Sequence, residues 1–292
     1  WLEKGSTHFC GLIAYLKNSC LEKDSIVNCD ETWCRVKREG CYKKKYIWCL
    51  VNKLSKVVVY CYEDGSRGRD ALKHILGDSQ VKALQSDGYN VYMYLDDHMV
   101  DIEHLCCMAH ARAKFKYAFE QGNDKDAAFI LELIGELYRL ERGYEEGKLS
   151  PEQIRLCRNN LKTKEIIIKL RSKLDALLSE HHPPRGELME KALNYMNTFW
   201  TQLFAYLNDG SYSIDNSIAE RFIRPLAGER KNSLFFGSDK MAGVSAVYHT
   251  IIFTCRMQGV SVLDYFKRFF SEIVKGRRYY EYLLPLTIGL EQ

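Results

Sequence analysis

From Ser25 to Tyr62 the chain reads SIVNCDETWCRVKREGCYKKKYIWCLVNKLSKVVVYCY. Two runs rich in β-branched and aromatic residues, SIVNCDETWCRV and KYIWCLVNK, flank a polar stretch around Glu39–Gly40. That pattern predicts a hairpin whose turn carries the lysines Lys43, Lys44 and Lys45. KVVVYCY follows at once as a third, more apolar strand. Arg69 to Leu76 places Ala71, Leu72, Ile75 and Leu76 on one side, which predicts a short helix. VKALQSDGY then reads as a fourth strand closing in an Asp-Gly turn, and HLCCMA as a fifth that runs into a helix from about His110 to Gln121.

Outward from there the character changes. From Asp124 the pattern is helical only, with Ala127, Ile130, Leu131, Ile134 and Leu137 at helical spacing. A second helix opens at Ser150-Pro151-Glu152-Gln153, which offers an N-cap serine, a proline at the first helical position and a capping-box glutamine. Its apolar stripe runs on to Leu177, and His181-His182-Pro183-Pro184 breaks it. A third helix runs from Leu188 to Tyr206 and stops at Asp209-Gly210. Beyond Gly210 the chain returns to mixed structure: a helix over Ser213–Arg224 with Asp215 as its cap, a short apolar stretch over Asn232–Ser238, and helices over Ala242–Gln258 and Val262–Val274. Three meandering strands, a helix and a strand ending in an acid form the opening of a ribonuclease H-like sheet. The expected class is therefore α/β: a ribonuclease H-like mixed sheet with flanking helices, interrupted by an all-helical insertion. The expected spans are a connecting helix or linker over 1–25, core over 26–123, insertion over 124–209, core again over 210–275, and a tail over 276–292.

The 292 residues, 46% hydrophobic and 27% charged, exclude a disordered or low-complexity chain. A net charge of +4 does not by itself identify a nucleic-acid binder. Its distribution is more informative: Trp33 to Lys56 holds Arg35, Lys37, Arg38, Lys43, Lys44, Lys45, Lys53 and Lys56 against the single acid Glu39. Eleven cysteines, an odd number without any CxxC pair and several of them inside apolar runs, point to a reducing cytosol rather than a disulfide framework. No apolar run approaches the roughly 18 residues of a membrane span. The chain opens at Trp1, which suggests a piece of something longer.

Acids at strand ends can hold a divalent cation, because hard cations take oxygen ligands at a mouth open to water and phosphate. Asp30 follows the apolar VNC run, Asp87 follows ALQS, and Glu220 is the best third acid, on a helix expected to lie over the sheet. An Asp-Gly turn and a solvated Asp30-Glu31 pair are the plain alternatives. Cys106, Cys107 and His110 supply at most three nearby zinc ligands, and no second Cys/His pair at zinc-finger spacing follows. His110 is alternatively a structural histidine at a helix start, or one that orients a carboxylate or touches phosphate. Arg112, Lys114 and Lys116 follow it on one helix, and Arg221, Arg224, Arg230 and Lys231 cluster around Glu220. Cations beside an acidic cluster would draw a phosphate backbone to an otherwise repulsive site.

The blocks NCDET, LQSDGYNVY, CCMAHARAKF, SIDNSIAERFIRP and ERKNSLFFGSDKMAG resemble, in this order, the signature blocks of the insertion-sequence-66 family of DDE transposases. The resemblance runs from about Ile26 to Phe270. It implies a ribonuclease H-like catalytic core with a helical insertion that cuts and rejoins DNA. Its triad would be Asp30, Asp87 and Glu220, holding two Mg2+ ions that Mn2+ can replace, with Asp30 bridging both. It also implies DNA contacts from Lys43, Lys44, Lys45, His110, Arg112, Lys114, Arg221, Arg224, Arg230 and Lys231. The expected partners are transposon-end and target DNA, further copies of the chain on DNA and accessory proteins encoded by the element. The expected setting is the bacterial cytoplasm at the nucleoid, with no membrane partner. Ser217 and Asn28 depart from the family pattern, where Asn and His are common, and neither change removes a carboxylate. Family members carry upstream DNA-end-binding and zinc-binding segments, so the expectation is a catalytic core without them. A metal-dependent nuclease lacking strand transfer, and a decayed DNA-binding fragment, are the alternatives.

Overall fold

Glu39 and Gly40, both at positive φ (47° and 79°), turn strand β1 (Ile26–Arg38) directly back into β2 (Cys41–Asn52). A two-residue loop of this kind matches the right-handed twist of paired strands. The register is unbroken from Val27↔Asn52 to Arg38↔Cys41. Lys43, Lys44 and Lys45 therefore lie within β2 and not at the turn where the sequence pattern put them. Strand β3 (Val57–Cys61) pairs antiparallel with β2, and with β4 (Ala83–Ser86) and β5 (Glu103–Cys106) it completes a five-stranded mixed sheet of order β3-β2-β1-β4-β5. The computed structural model describes residues 1–97, 100–179 and 186–288, and these fall into two compact units.

The first unit comprises residues 1–84, 89–103 and 218–292. Its helices are α1 (Leu2–Thr7), α2 (Cys10–Cys20), α3 (Arg69–Leu76), α10 (Ser217–Ser233, from its second residue), α11 (Asp239–Gln258) and α12 (Val262–Val274). Alternation along the strands sends Val27, Cys29, Trp48, Leu50 and Val59 to one face, where they meet Phe9, Leu12 and Leu16, Leu72 and Ile75 of α3, and Tyr265 and Phe269 of α12. Cys34, Val36, Ile47, Cys49, Val51 and Tyr60 take the other face, under Ala219, Ile223 and Leu226 of α10 and Ala242, Ala246 and Phe253 of α11. The segment expected as a linker over 1–25 thus carries core side chains, and in the expected tail Leu283 is buried. The edge strand β3 is sealed from α11. The Thr250 hydroxyl accepts from the Tyr60 amide at 2.9 Å, and one turn later Thr254 accepts from the Val58 amide at 3.1 Å. These bonds satisfy backbone groups that a bare edge would expose.

The second unit comprises residues 85–88 and 104–217. It contains α4 (Met108–Gly122), α5 (Lys125–Glu146), α6 (Pro151–Arg158), α7 (Leu161–Ser179), α8 (Glu187–Thr198) and α9 (Trp200–Phe204). Among the described residues from 124 to 208 none is in a strand. Helix α4, which the sequence pattern grouped with the sheet, packs on α5 and α8. The capping box forms as its residues indicate: Ser150 Oγ accepts from the Gln153 amide and Gln153 Oε1 from the Ser150 amide. The helix expected to run from Pro151 to Leu177 is broken at Asn159-Asn160. Asn159 Nδ2 donates back to the Arg155 carbonyl, and Asn160 Oδ1 accepts from the Thr163 amide. Asparagine competes with the helix for its own backbone in this way. The third expected helix divides at Phe199. The break at His181–Pro184 lies outside the described residues. Among the described residues no helix is long and apolar enough to cross a membrane.

Candidate active site

Asp30 stands in the middle of β1, opposite Cys49, and not at a strand end. The strand continues past it because Thr32, Cys34 and Val36 go on alternating into the sheet's packed face. Asp30 shares its side of the strand with Cys34 and Val36, the face covered by α10 and α11. It is half-buried, and its Oδ1 accepts from the Glu31 amide at 2.8 Å. Glu31, one residue on, points the opposite way and is not a solvated neighbour. Its side chain is 1% exposed, its Oε1 takes Arg67 at 2.6 Å, and its Oε2 accepts the Tyr92 hydroxyl at 2.7 Å. The Arg67 guanidinium also lies over the Tyr89 ring at 3.7 Å. One acid is thus locked into structure, while its neighbour on the α10 side is left half open to solvent. Burial and the nearby carboxylates hold the Cys29 thiol well above its ordinary pKa, and burial together with Asp30 does the same for Cys49.

Glu220 lies in the first turn of α10, whose Ala219, Ile223 and Leu226 anchor that helix over the Asp30 face of β1. The Glu220 side chain is 28% exposed, and Arg224, one turn on, reaches it at 3.9 Å. Arg221, Arg224 and Lys231 are exposed. Arg230 is not: its Nη1 donates to Thr32 Oγ1 (3.1 Å) and to the Trp33 carbonyl (2.9 Å), and its guanidinium stacks 4.2 Å from the Trp33 ring centre. Burial lowers its pKa. Arg230 therefore ties α10 to β1 beside Thr32, two residues from Asp30 and on the same face of the strand.

In the second unit Asp87 directly follows β4 and is half-buried. Its backbone carbonyl accepts from the Tyr195 hydroxyl of α8 at 2.6 Å. Gly88 follows at φ 80°, and a Cβ there would come within 2.7 Å of Tyr195 Oη, so both the backbone angle and the space demand glycine. Ser86 Oγ pairs with His104 Nε2 at 3.2 Å, and Gln85 Nε2 donates to the Ser213 carbonyl at 2.7 Å, which fixes the strand leading to Asp87. His110 sits in the first turn of α4, Arg112 is exposed, and Lys114 lies 4.9 Å from the Tyr195 ring centre. Cys106 Sγ meets His104 Nε2, whereas Cys107 Sγ accepts from the Asn216 amide. Consecutive extended residues point to opposite sides, so these two thiols do not face one ion together. The helix expected from Ser213 starts instead at Ser217, and Asp215, two residues before it, accepts from the Ser217 amide at 3.0 Å while Tyr138 donates to its other oxygen.

Of the expected site residues, the first unit carries Asp30, Glu220, Arg221, Arg224, Arg230, Lys231 and the three lysines, and the second carries Asp87, His110, Arg112 and Lys114. The supporting residues Arg67, Tyr92 and Tyr195 were not legible in advance, since nothing in the local pattern marks a partner so distant in the chain. Gly88 is the one local sign that something approaches Asp87 closely.

The model of the Transposase IS66 family matches residues 1–243. The chain belongs to this family. It is similar to two proteins of Sinorhizobium fredii (strain NBRC 101917 / NGR234): uncharacterized protein y4qI, 32% identical over 227 residues, and uncharacterized protein y4jD, 27% identical over 224. Each alignment covers 75% of this chain and 41% or 42% of the relative, so the chain spans about two-fifths of the length of these relatives.

Proposed function

We propose that this chain is the catalytic region of a DDE transposase with a ribonuclease H-like core, which cuts transposon-end DNA and joins it to a target. The observation that carries the reading is that Asp30 lies on the face of β1 over which α10, the helix bearing Glu220, packs. The strand order, with an antiparallel β1-β2-β3 meander and β4 beside β1, supports the fold. The signature blocks around Asp30, Asp87 and Glu220 support the triad. These groups fit divalent magnesium or manganese, because the donors are carboxylate oxygens, and Asp30 and Glu220 are half-buried rather than sealed. Bound there, such ions would supply charge stabilisation for the attacking and leaving oxygens of a phosphodiester.

The chain's own residues do the rest. Asp30, Asp87 and Glu220 would hold the ions. Arg230 keeps α10 on β1, and so keeps Glu220 over the Asp30 face. Arg112, Arg221, Arg224 and Lys231, exposed and cationic, draw the DNA backbone to the carboxylates, and Lys114 and His110 lie with Arg112 on α4. DNA is the partner this assigns. Assembly of several copies on DNA, help from element-encoded proteins and a place at the bacterial nucleoid belong to the same reading.

The test uses terminal-repeat DNA with this chain, and with the longer protein should the chain prove to be part of one. Asp87→Asn keeps size and hydrogen-bonding capacity but removes a negative charge from a cation site. It is expected to abolish cleavage in magnesium while binding, measured in calcium, stays equal or tightens slightly. Cleavage by this variant at the unmodified rate would remove Asp87 from the mechanism. Cleavage without joining in the unmodified protein would identify a nuclease of the same fold instead.

A further inference from the structure

The outer half of the β1–β2 hairpin is a ribbon with two unlike faces. The register places Trp33 opposite Tyr46, Arg35 opposite Lys44, and Lys37 opposite Tyr42, and these three rungs share one face. The intervening rungs, Cys34↔Lys45 and Val36↔Lys43, belong to the other. The lysine run is thereby divided: Lys44 joins the aromatic face, while Lys43 and Lys45 turn away and Lys45 Nζ donates to the Asp64 carbonyl. On the aromatic face Arg35 and Lys44 lie 5.9 and 5.6 Å from the Trp33 ring centre, and Lys44 is also 5.5 Å from that of Tyr46. Tyr42, 55% exposed, tilts against Phe235, 40% exposed, with ring centres 4.7 Å apart. Phe235 is held there because its neighbour Phe236 bonds both ways to the β1 edge at Arg35 and Lys37. The six rung residues include three aromatics, three cations and no acid.

We propose that this face is a platform for single-stranded DNA, with Tyr42 and Phe235 stacking unpaired bases and Arg35, Lys37 and Lys44 taking the phosphates. The inference rests on the transposase reading and names the form of DNA that the hairpin takes. A duplex hides the faces of its bases, so exposed rings give it nothing, while every unpaired base offers a π-face to an aromatic side chain.

The experiment measures binding of the unmodified chain in calcium, so that no cleavage intervenes, to a labelled oligothymidylate of about a dozen nucleotides and to a duplex of equal length. Tyr42→Ala combined with Phe235→Ala is expected to weaken single-strand binding about fivefold or more and to leave duplex binding unchanged. Tyr42→Phe is expected to retain the single-strand affinity, since stacking needs the ring and not the hydroxyl. Arg35→Gln combined with Lys44→Gln should weaken single-strand binding and flatten its salt dependence. Three results would each overturn the platform: no oligothymidylate binding by the unmodified chain, no effect of the double alanine change, or equal weakening of single strand and duplex. The two readings fail separately. Loss of the aromatic effect with cleavage intact removes only the platform, and selective single-strand binding without any magnesium-dependent cleavage removes only the transposase assignment.

Discussion

At the residue scale the pair Asp30-Glu31 carries most of the meaning. Two acids side by side look chemically alike in the sequence, yet strand alternation sends them to opposite faces. Glu31 enters a closed set with Arg67 and Tyr92, and Asp30 stays half open beneath α10. A carboxylate that is almost wholly buried tolerates the loss of its cation poorly, because the remaining charge has neither water nor partner to stabilise it. Arg67→Met is therefore expected to cost about 3 kcal/mol of stability, read as a lower midpoint in urea. Tyr92→Phe removes a single hydrogen bond to the same carboxylate and should cost about 1–2 kcal/mol. If Arg67→Met unfolded at the unmodified midpoint, Glu31 would not depend on that ion pair. Which acid of the DET motif serves structure could not be read in advance, because Arg67 and Tyr92 lie 36 and 61 residues away.

At the scale of elements, helix ends declared themselves while the joints between helices did not. Ser150-Pro151-Glu152-Gln153 specified the start of α6 through groups at most three residues apart. The joint that closes the helical unit is Arg158, whose side chain is 3% exposed. Its Nε and Nη2 grip both oxygens of Glu141, Nη1 donates to the carbonyls of Tyr206 and Asp209, and Nη2 also donates to that of Tyr212. All five donors of the guanidinium are used. Arg158→Met should destabilise this unit by about 3–5 kcal/mol, since it strands a carboxylate and three carbonyls. Arg158→Lys should rescue little, because an ammonium cannot reproduce the planar fork. Trp200 of α9 gives the readout: its fluorescence in urea should shift to a lower midpoint in both variants, and an unchanged midpoint would show that the joint holds without Arg158.

At the scale of the whole molecule, the cysteines show how the interior is made. None of the eleven is in a disulfide. Eight are buried, Cys157 is intermediate, and Cys10 and Cys41 are exposed. Burial raises the thiol pKa of Cys34 to about 11 and of Cys61 and Cys255 to about 12, so these groups stay protonated and unreactive near neutral pH. A thiol reagent is expected to label Cys10 and Cys41 quickly in the native protein, Cys157 more slowly, and the remaining eight only after unfolding. Rapid labelling of more than three would show an interior looser than the one described. The sequence by itself determined the order of strands and helices, the caps, the reduced state of the thiols and the family blocks, because periodicity, capping and thiol chemistry act between near neighbours in the chain. The tertiary structure decided which acid of the DET motif faces α10, how the lysine run divides between the faces of the hairpin, and which distant side chains hold Glu31, Asp87 and the helical unit. Those outcomes depend on strand register and on which faces of the helices are packed, and pairings across tens of residues are set only when the chain closes on itself.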